Sequence, residues 1–240
     1  MMLPLSLTLF NTELSENFGG IKCMEGHIAG EIYSFLKTNS LFNWKLNHNF
    51  CEARAEAVSL LLDAAKIPHV KCWVMGAAFL KWGYVGALKN NWNYHVAIAL
   101  PVENGLQVDW MVVDPSAANG PLLVEDWAAS ITLYPHSYYF LKDPGYYIFP
   151  GNQLFKKGWH KRRQRNFRWA MQGLIGISSL SYIGKAMLTF KKRQIREVTL
   201  KFMKVRGRMG DEGLFGQNRR GLTHANFHAE AQNRSGLTHA

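Results

Sequence analysis

The chain has 240 residues, 48% of them hydrophobic, and a formal net charge of +11. That length and composition suit one packed domain with a segment added to it, and exclude a chain too polar to bury a core. Three cysteines, at 23, 51 and 72, are too few for a disulfide framework and odd in number, which points to a reducing compartment.

The charge is unevenly placed. Residues 1–150 hold 9 Lys/Arg against 13 Asp/Glu, and residues 151–240 hold 19 against 4. The division predicts a mildly acidic domain over 1–150, a basic helical region over 151–210 and a tail over 211–240. An asymmetry of this size suggests an anionic partner for the basic part.

In chain order, residues 1–10 alternate leucine with small or polar residues, a period of two that predicts a short strand. No positively charged leader with a small-residue cleavage site is evident, so a cytoplasmic protein is expected, in its own cell or delivered into another. Residues 25–36 predict an amphipathic helix with Ile28, Ile32, Phe35 and Leu36 on one face and His27 exposed. His48 reads as a surface residue.

Residues 51–66 are dominated by Ala, Glu, Arg and Leu and predict a helix stopped at Ile67 and Pro68. Asn49 is the candidate N-cap, with Glu52 as its partner in a capping box. Cys51 then lies in the first turn, where free backbone N–H groups and the helix dipole favour a thiolate. Taken alone, such a cysteine is more often a small core residue.

Residues 70–75 predict a strand. Residues 76–86, with Phe79, Trp82 and Tyr84, predict either two short strands with a loop or a lid. Residues 94–100 and 108–113 predict a β-hairpin around Asn104 and Gly105, the strongest short turn signal. With those two as the loop, counting outward sets His95 directly opposite Asp114 on one face. Opposed Cβ atoms lie about 4.5–5.5 Å apart, within reach for a carboxylate to fix an imidazole tautomer. A thiol at a helix start, a base and an orienting carboxylate form the set that acyl transfer through cysteine requires.

The motifs Cys51-x-Ala53-Arg54-Ala55, Trp92-x-Tyr94-His95-Val96-Ala97-Ile98 and Val113-Asp114-Pro115-Ser116, followed by Trp127, resemble the bacterial protein-glutaminase (protein-glutamine deamidase) family in order and spacing. The resemblance covers roughly residues 44–150. It implies an α+β, papain- and transglutaminase-like fold, with a nucleophile helix packed on an antiparallel sheet and, in this chain, a basic helical C-terminal appendage. It also implies Cys51 as nucleophile, His95 as base and Asp114 as orienter. Trp92 and Glu52 are candidate substrate or oxyanion residues, and for Trp92 packing at the sheet edge remains the alternative. The expected reaction is deamidation of protein-bound glutamine through a Cys51 thioester. A peptidase or a transglutaminase-like acyltransferase could use the same three residues. No metal or organic cofactor is expected.

Beyond Asp114, residues 124–131 predict a short helix around Trp127, and residues 132–150 an aromatic segment closing the domain. Residues 156–165 are strongly basic. Residues 169–184 carry no charge, but 16 residues fall short of the about 20 that a membrane-spanning helix needs. Residues 191–205 predict a basic amphipathic helix with Ile195, Val198, Phe202 and Val205 on one face. Such a helix lies peripherally on an anionic membrane, binds an acidic partner, or forms a small subdomain with a solvated basic face. Nucleic acid is a poor fit, because no recognised module is present. Residues 217–225 return at 232–240 in near-identical form, a polar repeat that cannot bury a core and is expected to be disordered.

Overall fold

A hairpin of long strands forms the middle of the molecule, and helices cover it on both faces. The computed structural model describes residues 9–10, 12, 15–42, 44, 51–76, 88–133, 137–146 and 184–215. The elements are β1 (Leu9–Phe10), α1 (Gly26–Thr38), α2 (Cys51–Ala64), β2 (Val70–Gly76), β3 (Tyr94–Asn104), β4 (Gln107–Val113), β5 (Leu122–Leu123), α3 (Val124–Ile131), β6 (Ser137–Lys142) and α4 (Gly184–Phe215). This is the expected α+β class. The cysteine helix lies against an antiparallel sheet, as the resemblance implied.

The sheet has six strands in the order β1-β6-β2-β3-β4-β5. Every pairing is antiparallel except β1 with β6. Residues 95–102 of β3 are all buried, which only a strand covered on both faces achieves. Ile98, Leu100 and Val102 join α1 and α2 in one core. Ala97 and Ala99 turn the other way, into a second core with Val70, Cys72, Val74 and the α3 residues Trp127, Ala128 and Ile131. A third cluster of Ala55, Trp73, Met75, Val96 and Phe140 sits under the start of α2, with Cys51, Tyr94 and Tyr138 packed at its edge. The buried Lys71 on β2 pairs with the buried Glu56 on α2 and donates to the Tyr146 carbonyl at 2.7 Å. That pair ties helix to sheet, and removing one partner would strand a buried charge.

Two expectations change, and for the C-terminal helix one of the open alternatives is favoured. The hairpin loop is Gly105 and Leu106, because Asn104 pairs with Gln107. Gly105 carries the positive φ, 63°, and a glycine at the first loop position suits a type II′ turn. The whole ladder is therefore offset from the expected one. His95 and Asp114 are not directly opposed, since continuing the register past Val113 sets Asp114 across from Ala97. Side chains alternate with period two, so His95 and Ala97 share a face and Asp114 is a diagonal neighbour of His95.

The aromatic segment after α3 is not merely a closing flap. Residues Ser137–Lys142 form β6, hydrogen-bonded to β2 and flanked by β1 on the other side. Finally, α4 does not hold its apolar face free. Val198, Phe202 and Met209 are buried, and the Phe202 ring lies 4.9 Å from that of Phe35 on α1. Arg206 donates to the Ala65 carbonyl at the end of α2. The covered face leaves Arg193, Arg196, Lys201, Lys204 and Arg208 outward.

Among the described residues no helix is long and apolar enough to cross a membrane. The Asn49 cap, His48, residues 77–86 of the 76–86 segment, the basic run at 156–165 and the terminal repeat lie outside the described residues.

Candidate active site

The first residue of α2 is Cys51, half-buried where the helix meets β3. One cavity is lined by Cys51 and Arg54 from α2, His95 and Val96 from β3, and Asp114 and Ser116 just past β4, with Trp44 at its side. The structure thus brings the three predicted residues to one place. Among the described residues no group of acidic, histidine and cysteine side chains could hold a metal ion.

The histidine side of the site is fully tied. His95 Nε2 lies 2.7 Å from Asp114 Oδ2, with both residues buried at 1% and 3% exposure. Asp114 Oδ2 also accepts from Trp127 Nε1 at 3.0 Å, and Oδ1 accepts from the Ser116 amide at 3.1 Å and from the Ser116 hydroxyl. Burial works to raise the Asp114 pKa. The charge and hydrogen bond of His95, with the bonds from Ser116 and Trp127, outweigh it and hold the carboxyl below its ordinary value. An ionised carboxylate only accepts, so His95 Nε2 carries a proton towards it, and in the neutral imidazole the lone pair is on Nδ1. Nδ1 is buried and has no hydrogen-bond partner among the described residues. The ring is further fixed by Trp92, which stacks on it at 4.0 Å and 7°, and by Trp127 at 5.6 Å.

The cysteine side is different. Cys51 Sγ donates at 3.6 Å to Glu52 Oε2, while Glu52 Oε1 accepts from the Tyr94 hydroxyl. The thiol pKa is pushed well above its ordinary value, first by desolvation and then by the Glu52 charge. The Arg54 guanidinium and a backbone hydrogen bond from Val96 work the other way. Removal from water and the adjacent carboxylate thus work against the thiolate that the first-turn position favours.

Trp92 is placed against the His95 ring. Glu52 can only accept hydrogen bonds in its charged form, which suits an amide N–H and opposes an oxyanion. Ser116, Trp127 and Arg54 were not singled out as site residues. Ser116 and Trp127 lie beside or beyond a motif whose central residue drew attention. Arg54 sits one turn after Cys51 on the same helix face, a spacing that could have marked it. Cys23 and Cys72 lie outside the cavity, and burial raises both thiols.

The fold is thus an α+β domain in which a cysteine at a helix start shares one cavity with a sheet-borne histidine and aspartate. Comparison with known families narrows it. Residues 29–131 match the family described as glutaminase. Solved structures similar to this chain include protein-glutaminase from Chryseobacterium proteolyticum, at 15% identity and a TM-score of 0.43, covering 62% of this chain and 89% of that one. A crystal structure of protein-glutaminase aligns at 16% identity and a TM-score of 0.47, covering 64% and 89%. A pro-protein-glutaminase aligns at 14% identity and 0.45, covering 68% and 64%. No curated protein matches.

Proposed function

We propose that this protein hydrolyses the side-chain amide of glutamine in a protein substrate, with Cys51 as nucleophile, His95 as base and Asp114 as orienter. The observation that carries the reading is the buried His95 Nδ1, left without a described partner in the cavity that Cys51 lines, while Nε2 is bound to Asp114.

The thiol proton moves to His95 Nδ1 as sulfur attacks the carboxamide carbon and the C–S bond forms. Backbone N–H groups at the start of α2 are the candidate oxyanion donors, each typically worth about 2.7–4 kcal/mol. The imidazolium then gives its proton to the leaving nitrogen, the C–N bond breaks and ammonia departs. Water, deprotonated by His95, attacks the thioester. Glutamate leaves and the thiol is restored. These steps call on no group from outside the chain except water.

The outward basic face of α4 is the candidate contact for an acidic surface of the substrate protein. The family match favours glutamine hydrolysis over the peptidase and acyltransferase alternatives that the same three residues allow.

Ammonia release from a blocked glutamine dipeptide and from a glutamine-rich protein, wild type against Cys51→Ala, tests the reading. Release that the substitution abolishes supports it. New N-termini would show a peptidase, and incorporation of a labelled amine an acyltransferase.

A further inference from the structure

Glu52 is the one acidic side chain hydrogen-bonded to the Cys51 sulfur among the described residues. Adjacent positions on a helix do not share a face, so this contact is not a consequence of helix geometry. It depends on Tyr94, the residue before His95 on β3, whose hydroxyl holds Glu52 Oε1 and leaves Oε2 turned to the sulfur. Tyr94 is in turn steadied by Trp73 at 5.8 Å. The carboxylate is thus anchored by one oxygen and open at the other, beside the atom that forms the new bond.

We propose that Glu52 is the specificity residue of this site: its free oxygen takes an N–H of the substrate's primary carboxamide and turns away the carboxylate that the reaction makes. The proposal rests on the glutamine-hydrolysis reading above.

In the unliganded site Oε2 receives the thiol hydrogen. When that proton passes to His95 Nδ1, the oxygen loses its donor at the moment substrate brings one. The amide nitrogen is one bond from the carbon that sulfur attacks, so it comes to the neighbourhood of Oε2 as the C–S bond forms. The exchange replaces an S–H donor with a stronger N–H donor. Ammonia, protonated on leaving, remains a donor to the same oxygen. The product does not. Glutamate brings a second carboxylate against Glu52, and like charges at hydrogen-bonding distance repel. Substrate and product differ only in NH2 against O⁻, which is the difference an anionic acceptor reads.

The full-length wild type and Glu52→Gln are compared in three measurements. These are kcat and KM on a blocked glutamine dipeptide, inhibition by the corresponding glutamate dipeptide, and the pH dependence of Cys51 alkylation by iodoacetamide. The substitution keeps an acceptor for Tyr94 and the side-chain shape, so the fold survives. The expected result is a kcat/KM lower by about tenfold or more, the loss of one charge-assisted hydrogen bond, carried mainly by KM. Inhibition by the glutamate dipeptide strengthens by about the same factor, and the alkylation midpoint moves to lower pH. A purely structural role would lower kcat without changing the preference between the two dipeptides, and that result overturns the proposal, as does a variant identical to wild type. Wild type that releases no ammonia overturns the glutamine reading and this inference with it. An active wild type with an unselective Glu52 effect overturns only the inference.

Discussion

The two halves of the candidate cavity are built on opposite principles. Around Asp114, every oxygen is used: His95, Trp127 and Ser116 supply four donors to the two atoms of a buried carboxylate. Around Cys51, the sulfur meets the Glu52 carboxylate and the Val96 backbone, and the histidine nitrogen on that side has no described partner. The first half fixes an orientation, because a satisfied buried network holds one geometry. The second half is left to be completed by what binds. A site that must hold a tautomer and exchange a proton needs both conditions, in separate places.

Changes to the open half should remove chemistry and spare the fold. Cys51→Ala is expected to abolish ammonia release while leaving the thermal midpoint within a degree or two of wild type. A large drop in the midpoint would mean that the sulfur is chiefly a packing atom. Changes to the tied half should cost rate through orientation. Asp114→Asn presents an amide to Nε2 and favours the wrong tautomer, so kcat should fall on the order of a thousandfold or more. If the loss appeared in KM alone, the orienting role would be refuted.

Trp127→Phe removes one of the four donors and keeps the ring packing. The expected outcome is a roughly tenfold loss of kcat and a rise in the Asp114 pKa, readable by NMR titration of the carboxyl carbon. The sign follows from the depressed folded value. Asp114 contributes stability that is present above the unfolded carboxyl pKa and lost as pH falls through the folded one, so the variant should lose that part at a higher pH than wild type. Far from the cavity, Phe202→Ala should destabilise the protein by about 3–5 kcal/mol in urea unfolding, because the ring is fully buried against α1. An effect near zero would mean that α4 does not share the core. The smallest expected effect is for Lys201→Glu with Lys204→Glu, which should raise KM several-fold for a protein substrate and leave the dipeptide unaffected.

The sequence made the three site residues legible because each has a local signal. Cys51 opens a helix pattern, and His95 and Asp114 flank a turn dipeptide. The ladder itself was offset, since Asn104 and Gly105 look like a loop pair while the chain turns on Gly105 and Leu106. The face survived the error because an even shift keeps side chains on the same side. The donors to Asp114 were harder to see. Trp127 reaches it from a helix on the other side of a turn, a contact that only the packed layers create. The destination of α4 was hidden for a related reason. Val198, Phe202 and Val205 marked an apolar face, but periodicity does not say whether a membrane, a partner or the same chain covers it. The strand at Ser137–Lys142 read only as an aromatic segment closing the domain, because its buried, two-sided setting leaves no alternation to read.

The most direct test of the central claim is mass spectrometry of a glutamine-containing protein incubated with wild type or Cys51→Ala in water enriched in ¹⁸O. The account predicts conversion of glutamine to glutamate with the label in the new carboxylate, and no conversion by the variant. Conversion that persists in the variant, or chain cleavage and amine adducts without labelled glutamate, would contradict it.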